Sequence, residues 1–367
     1  MRILTLNPGS SSLKASLVDD GVAHGWATWE LAEARDDARA VRDALGRWAD
    51  LDAVAVRFVH GGARKEPTLL DDSRLAALDR LVPLAPVHQP LSLAVARTVR
   101  QTRPELPVVA CFDTAFHATL PEAAAHYPLP RAWTRQNRLR RYGFHGLSCQ
   151  YAVRRAAELL GRSVTGLQLV CCHVGAGVSV TAVKNGHSVD TSMGFTPLEG
   201  AMMATRSGSV DPGLLLHVMS TAQMTPGEMA DALNHRSGLA GMSGTNGDLR
   251  AVLAAKAAGE EDADLAYAVY LHRLRREIGA AAMSLDRLDA LVFTGGVAEF
   301  QPDVIRAVAG GLPVLGVHAG DVTPPAGEDG VLSEPGAPVA VLTVVPREDL
   351  EIAQGAQDML STQGALR

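Results

Sequence analysis

Short apolar stretches, each closed by glycine, proline or asparagine, alternate along this chain with longer amphipathic stretches. Residues 2–6 and 13–18 are β-rich and flank the small-residue run Asn7-Pro8-Gly9-Ser10-Ser11-Ser12, which predicts strand, turn, strand. The same grammar returns at residues 167–173 and 178–183, around Val174-Gly175-Ala176-Gly177, and closes on the turn Asn185-Gly186. Two such hairpins half a chain apart predict an internally duplicated architecture. Further apolar strands are expected at 53–59, 106–112, 290–293 and 339–345. Helices are expected at 73–81, 90–100, 226–234, 262–284 and 348–360, and a Pro/Gly-rich polar loop at 324–336. Strands alternating with helices predict an α/β fold with its sheets covered on both faces.

Length and composition narrow the class. At 367 residues the chain exceeds one ordinary core, so two domains are expected. With 47% hydrophobic and 20% charged residues it has ample material for both. A net charge of −6 without a basic block argues against nucleic acid as a partner, and 4% aromatics leave little for base-stacking platforms. No run approaches a membrane span, and the apolar start turns polar too soon for a signal peptide, so a cytoplasmic protein is expected. Cys111, Cys149, Cys171 and Cys172 match no zinc or redox spacing and read as small buried thiols.

Several segments carry candidate chemistry. In the first turn, Ser hydroxyls and backbone N–H groups can donate to phosphate, with Lys14 as a point charge. Taken alone, such a turn is ordinarily just solvated. Arg57, before His60-Gly61-Gly62, and Asp113, in Phe112-Asp113-Thr114-Ala115-Phe116-His117, stand at strand ends, where α/β sheets bind ligands. A lone strand-end arginine is more often a surface ion pair. His145 lies between glycines in Tyr142-Gly143-Phe144-His145-Gly146, which lets the backbone bring its ring close to a ligand. Residues 190–200, leading to Thr205-Arg206-Ser207-Gly208, form a long loop too rich in mixed apolar and polar residues to be disordered. Thr294-Gly295-Gly296-Val297-Ala298-Glu299 allows close backbone approach after a strand, although a glycine pair discriminates poorly.

In this order, NPGSSSLK, RFVHGG, FDTAFH, YGFHG and DTSMGFTPLEGAMMATRSG resemble the acetate kinase family of acid kinases over nearly the whole chain. The resemblance implies two duplicated RNase H-like α/β domains of the actin, sugar kinase and Hsp70 type, with an active-site cleft between them. The expected division is 1–115 plus 350–367, a first domain completed by the C-terminal helix, and 116–349, a second carrying the nucleotide site and the dimer interface. It further implies a homodimer, a small carboxylate and a nucleotide as partners, a requirement for Mg²⁺, and reversible phosphoryl transfer from ATP to acetate. Carried onto matching positions, Arg57 and Arg206 bracket the carboxylate and the phosphoryl, His145 bonds the phosphoryl, and Asp113 orients substrate or metal-bound water. Asn7 and Glu348 serve the metal, and Asn7, Ser10, Ser12 and Lys14 line the phosphate path. His173, Gly175, Gly177, Asp248, Leu249, Arg250, Gly295, Gly296, Val297 and Ala298 serve the nucleotide.

The acid's alkyl group is assigned to Val59, Val87, Phe144 and Pro197. A leucine commonly stands at Val87 in the family, so the extra room here is expected to let propionate in more readily than in a strict acetate enzyme. The nucleotide segments depart from the family's usual strings. HLGNG becomes His173-Val174-Gly175-Ala176-Gly177, and GGIGEN becomes Gly295-Gly296-Val297-Ala298-Glu299-Phe300. An insertion falls around residues 244–247, and the metal-side TNEE shortens to Arg347-Glu348-Asp349. The added methyl of Ala298 is expected to narrow the adenosine pocket or to repack its loop. Two alternatives stay open: a kinase of the same fold using another donor, such as pyrophosphate, or another acid, and a non-catalytic nucleotide sensor. A Rossmann dehydrogenase is excluded, because no GxGxxG opens a helix at Gly175.

Overall fold

A computed structural model of the chain describes residues 1–9, 12–31, 36–318, 320 and 324–364. They divide into two compact units, one of residues 1–118, 144–151 and 347–367, the other of 119–143 and 152–346. The expected boundary gave 116–118, 144–151 and 347–349 to the second domain; their contacts group them with the first unit. Residues 144–151 hold the start of the helix Gly146–Leu159, whose Leu147 belongs to the first unit's core.

The first unit's sheet contains β1 (Arg2–Pro8), β2 (Ser12–Asp19), β3 (Val22–Glu30), β4 (Ala53–Phe58), β5 (Thr68–Leu69) and β6 (Val108–Phe112), ordered β3-β2-β1-β4-β6-β5. The second unit's sheet contains β7 (Gln168–Val174), β8 (Val178–Lys184), β9 (His187–Thr191), β10 (Ala290–Thr294), β11 (Gly330–Val331) and β12 (Ala340–Val344). Its order, read from the matching edge, is β9-β8-β7-β10-β12-β11. Strand for strand the directions agree: an antiparallel meander, two parallel additions and a short antiparallel edge. Even the register irregularity recurs, at Leu17/Val18 and at Ala182/Val183. The duplication is therefore a property of the whole sheets, and the plan is the RNase H-like one.

Alternation along β4 shows how the first core is built. Val54, Val56 and Phe58 pack with Val41 and Leu45 of the helix Asp36–Arg47 and with Leu93, Ala96 and Val99 of Gln89–Thr102. Ala53 and Ala55, on the other face, pack with Ile352, Ala353 and Ala356 of the C-terminal helix Glu348–Gly364. Small residues on that face let the helix approach, while each larger buried side chain contributes about 1.5–3 kcal/mol. Parallel strands covered on both faces are apolar throughout, as in β6, whose five residues are all buried. All four cysteines are buried, Cys171 and Cys172 within β7. Among the described residues, no helix is long and apolar enough to cross a membrane.

Candidate active site

In the first unit, the three adjacent parallel strands β1, β4 and β6 end in chemistry. Asn7 lies at the carboxyl end of β1, Arg57 at that of β4, and Asp113 directly after β6. Arg57 Nη2 donates to Asp113 Oδ2 at 2.6 Å and Nε donates to Oδ1 at 3.1 Å, a fork-to-fork pair. Arg57 Nη1 donates to Asn7 Oδ1 at 3.0 Å and lies 3.7 Å from Glu348 Oε2, which accepts from Asn7 Nδ2 at 2.6 Å. Glu348 arrives as the first residue of the C-terminal helix, so both ends of the chain converge here. Burial opposes the Arg57 cation, yet Asp113 and Glu348 outweigh it and raise its pKa. Burial pushes the Asp113 carboxyl up, and Arg57 pulls it back.

His145 joins this cluster through its backbone, whose N–H bonds Asp113. It adopts a left-handed φ of 56°, uncommon outside glycine, and its carbonyl then accepts from Cys149 N at 2.9 Å to start the helix. Gly146 is required: a Cβ there would stand 2.0 Å from the Asp113 carbonyl oxygen. Lys14 pairs across the hairpin with Asn7 and is exposed, and Ser12 is half-buried. Ser10 lies outside the described residues. Val59 and Phe144 are buried, whereas Val87 is 44% exposed.

Asn7, Asp113 and Glu348 offer oxygen ligands, and two carboxylates around one guanidinium leave a net negative charge. No group of three His, Cys, Asp or Glu able to hold a metal occurs among the described residues. That donor set fits a hard cation bound largely through water, as Mg²⁺ prefers, and not a dedicated protein cage.

In the second unit a cavity of about 490 Å³ is walled by Gly175, Asp248, Leu249, Arg250, Gly296 and Val297, bringing together six of the expected nucleotide residues. Asp248 caps the helix Leu249–Ala257, and its carboxylate pairs with Arg250 at 2.5 Å. Side-chain hydrogen bonds to Arg250 hold the Asp248 carboxyl below the usual range. His173, Gly177, Gly295 and Ala298 are not on this wall. Of the two readings of Ala298, the structure favours repacking: it is 3% exposed within a short helix, Gly296–Phe300, so its methyl joins the core and does not narrow the cavity. Phe300, 59% exposed, does line it. Sequence reading missed Ala204, Leu239, Gly247, Tyr270 and Gln301, which reach the cavity from separate elements.

Residues 192–211 contain no helix or strand, yet Met193, Ala201, Met202 and Met203 are buried, so the loop is an ordered one. It carries Pro197 and Arg206. Arg206 Nη1 donates to the Pro197 carbonyl at 2.5 Å, and among the described residues no carboxylate pairs with it. Burial alone pulls its pKa down to about 10. An arginine stays charged in this range, so the shift marks a cation that lacks compensation and suits an incoming anion.

The second unit thus holds a nucleotide-sized cavity and a cation without a carboxylate partner, and the first a pinned arginine–carboxylate cluster; each is a feature that phosphoryl transfer uses. The sequence model of the acetokinase family matches residues 40–354. An acetate kinase of Streptomyces coelicolor is 40% identical over 99% of this chain and 98% of its own length, and one of a Synechococcus strain is 48% identical over 86% and 78%. Among solved structures, Porphyromonas gingivalis acetate kinase superposes with a TM-score of 0.87 at 31% identity, covering 98% of this chain and 99% of its own. A propionate kinase from Francisella tularensis reaches 0.88, also at 31%, covering 96% and 98%. The chain belongs to the acetokinase family, and it is a phosphotransferase with a carboxyl group as acceptor.

Proposed function

We propose that this chain transfers the γ-phosphoryl group of ATP reversibly to acetate, giving acetyl phosphate and ADP, with Mg²⁺ as the metal. The observation that carries this reading is Arg206, a buried guanidinium bonded to a carbonyl and to no carboxylate. A carboxylate oxygen of acetate attacks the γ-phosphorus as the bond to the leaving ADP oxygen breaks. The acid is ionised at neutral pH, so no general base is needed. Arg206 meets the charge spread over the equatorial phosphoryl oxygens, and positioned cations supply most of the catalysis in such a transition state. Arg57, locked by Asp113, presents a fixed cation to the acid or the phosphoryl group. The His145 imidazole hydrogen-bonds the phosphoryl oxygens from a backbone fixed against Asp113. Asn7 and Glu348 would hold Mg²⁺, which would supply neutralisation of phosphate charge.

Val59, Val87, Phe144 and Pro197 bound the alkyl group, and the exposed valine at 87 favours acceptance of propionate beside acetate. The same reading places the protein in the cytoplasm as a homodimer. In support of the dimer, the helix Pro212–Thr221 buries none of its residues although Leu214 and Leu216 are 53% and 69% exposed. Phosphorus-31 NMR of the full chain with ATP, Mg²⁺ and acetate tests the reaction: an acetyl phosphate resonance growing with ADP supports it. Release of inorganic phosphate alone refutes carboxyl transfer.

A further inference from the structure

Pro197 is fastened from both sides to one phenol. Two residues before it, Phe195 N donates to Tyr127 Oη at 2.8 Å; two residues after it, the Glu199 carboxylate accepts from the same hydroxyl at 2.5 Å. The second Glu199 oxygen accepts from Arg141 Nη2 at 2.8 Å, and Arg141 Nη1 donates to the Ser192 carbonyl at 3.0 Å. The Arg141 guanidinium also lies over the Tyr127 ring, 5.4 Å from its centroid. Gly194 lets the loop close onto this group: a Cβ there would stand 1.7 Å from Glu199 Oε2 and 2.0 Å from Tyr127 Oη. The loop so fastened ends at Arg206, whose guanidinium is aimed by the Pro197 carbonyl. A cation without a carboxylate partner is positioned only by what it bonds, so the stiffness of residues 195–199 sets where that charge stands.

We propose that Tyr127, Arg141 and Glu199 are positioning residues that clamp the 192–206 loop so that Arg206 meets the transferring phosphoryl group. This inference rests on the role given to Arg206 above, and none of the three clamp residues lines the nucleotide cavity. Burial raises the Tyr127 phenol well above its usual range, and Glu199 reinforces it, so the hydroxyl keeps its proton for donation at neutral pH. The clamp works through geometry, and a displacement of about 1 Å costs on the order of 10²-fold in rate.

The isosteric Tyr127→Phe variant removes one oxygen and both of its bonds. In the full-length protein we expect kcat for acetyl phosphate formation to fall roughly 10- to 100-fold. KM for ATP should stay within about twofold, because none of the three residues lines the nucleotide cavity. Glu199→Gln, which keeps the shape and can still accept from Tyr127, should retain an intermediate kcat. Amide hydrogen exchange, which needs no turnover, should accelerate by roughly tenfold across 192–206 in Tyr127→Phe and nowhere else. Wild-type kcat in both variants overturns the proposal. So does unchanged exchange in the loop, or a kcat loss that only tracks a lowered melting temperature. A wild-type protein that makes no acyl phosphate overturns the role of Arg206 and with it the purpose of the clamp, while the exchange result separates that failure from a clamp that does not exist.

Discussion

Arg57 and Arg206 are in opposite electrostatic states, so removing their charges should move stability in opposite directions while damaging activity alike. Arg57→Met leaves Asp113, fully buried, without the guanidinium that makes three bonds to it at 2.6 to 3.2 Å. Breaking a buried pair by deleting one partner costs about 3–5 kcal/mol, which lowers the melting temperature by on the order of 10 °C. Arg206→Met instead removes a cation whose burial is uncompensated. Its pKa, pulled down to about 10, corresponds to roughly 3 kcal/mol of disfavoured charge, and screening by the solvent that this largely buried side chain still meets brings it nearer 1–2 kcal/mol. The ligand-free variant should therefore melt at the wild-type temperature or a few degrees above it. Loss of either positioned cation should cost about 10²–10³ in kcat. Scanning calorimetry without ligands, paired with acyl phosphate assays, decides the matter. Equal destabilisation by both variants, or a neutral Arg57→Met, refutes the assignment of the two charge states.

The pH dependence of stability should come partly from His60 and His117, which burial holds neutral with pKa values lowered to about 4. The unfolded chain takes up these protons below about pH 6.5, so stability is fully present above that pH and is lost as the pH falls toward 4, by up to about 3 kcal/mol each. Melting curves from pH 7 to 4.5 should show this loss, and His117→Gln should flatten it. Gly146→Ala forces a methyl to 2.0 Å from the Asp113 carbonyl, so it should destabilise by about 1–3 kcal/mol and lower kcat, which thermal melts with kinetics will show. Val87→Leu should reduce the propionate-to-acetate ratio of kcat/KM by up to about tenfold; an unchanged ratio dissociates Val87 from acid choice.

What could be read beforehand follows a physical pattern. β1, β2, β4, β6, β7, β8 and β10 are mostly buried and so left apolar runs in the sequence. β3 was missed because it is half-exposed along its whole length and alternates residues such as His24, Trp26 and Thr28 with small ones. β9, just past the Asn185-Gly186 turn, is five residues long and gave no period of its own. In the site, Asn7, Arg57 and Asp113 were legible as polar residues where apolar strands stop. Tyr127 and Arg141 were not, since they come from a stretch of turns and short helices and acquire meaning only from Glu199, far along the chain. For Ala298 the string alone left narrowing and repacking open, because a glycine-rich run reads as loop; only the helix there shows its methyl turned inward.

The most direct measurement is hydroxylamine trapping of acyl phosphate by the purified full-length protein with Mg²⁺, comparing ATP with pyrophosphate as donor and acetate with propionate as acceptor. Acetohydroxamate formed with ATP, and abolished when Mg²⁺ is chelated, is the result expected. Product with pyrophosphate alone, or none from folded protein under any combination, contradicts ATP-dependent carboxyl phosphorylation by this chain.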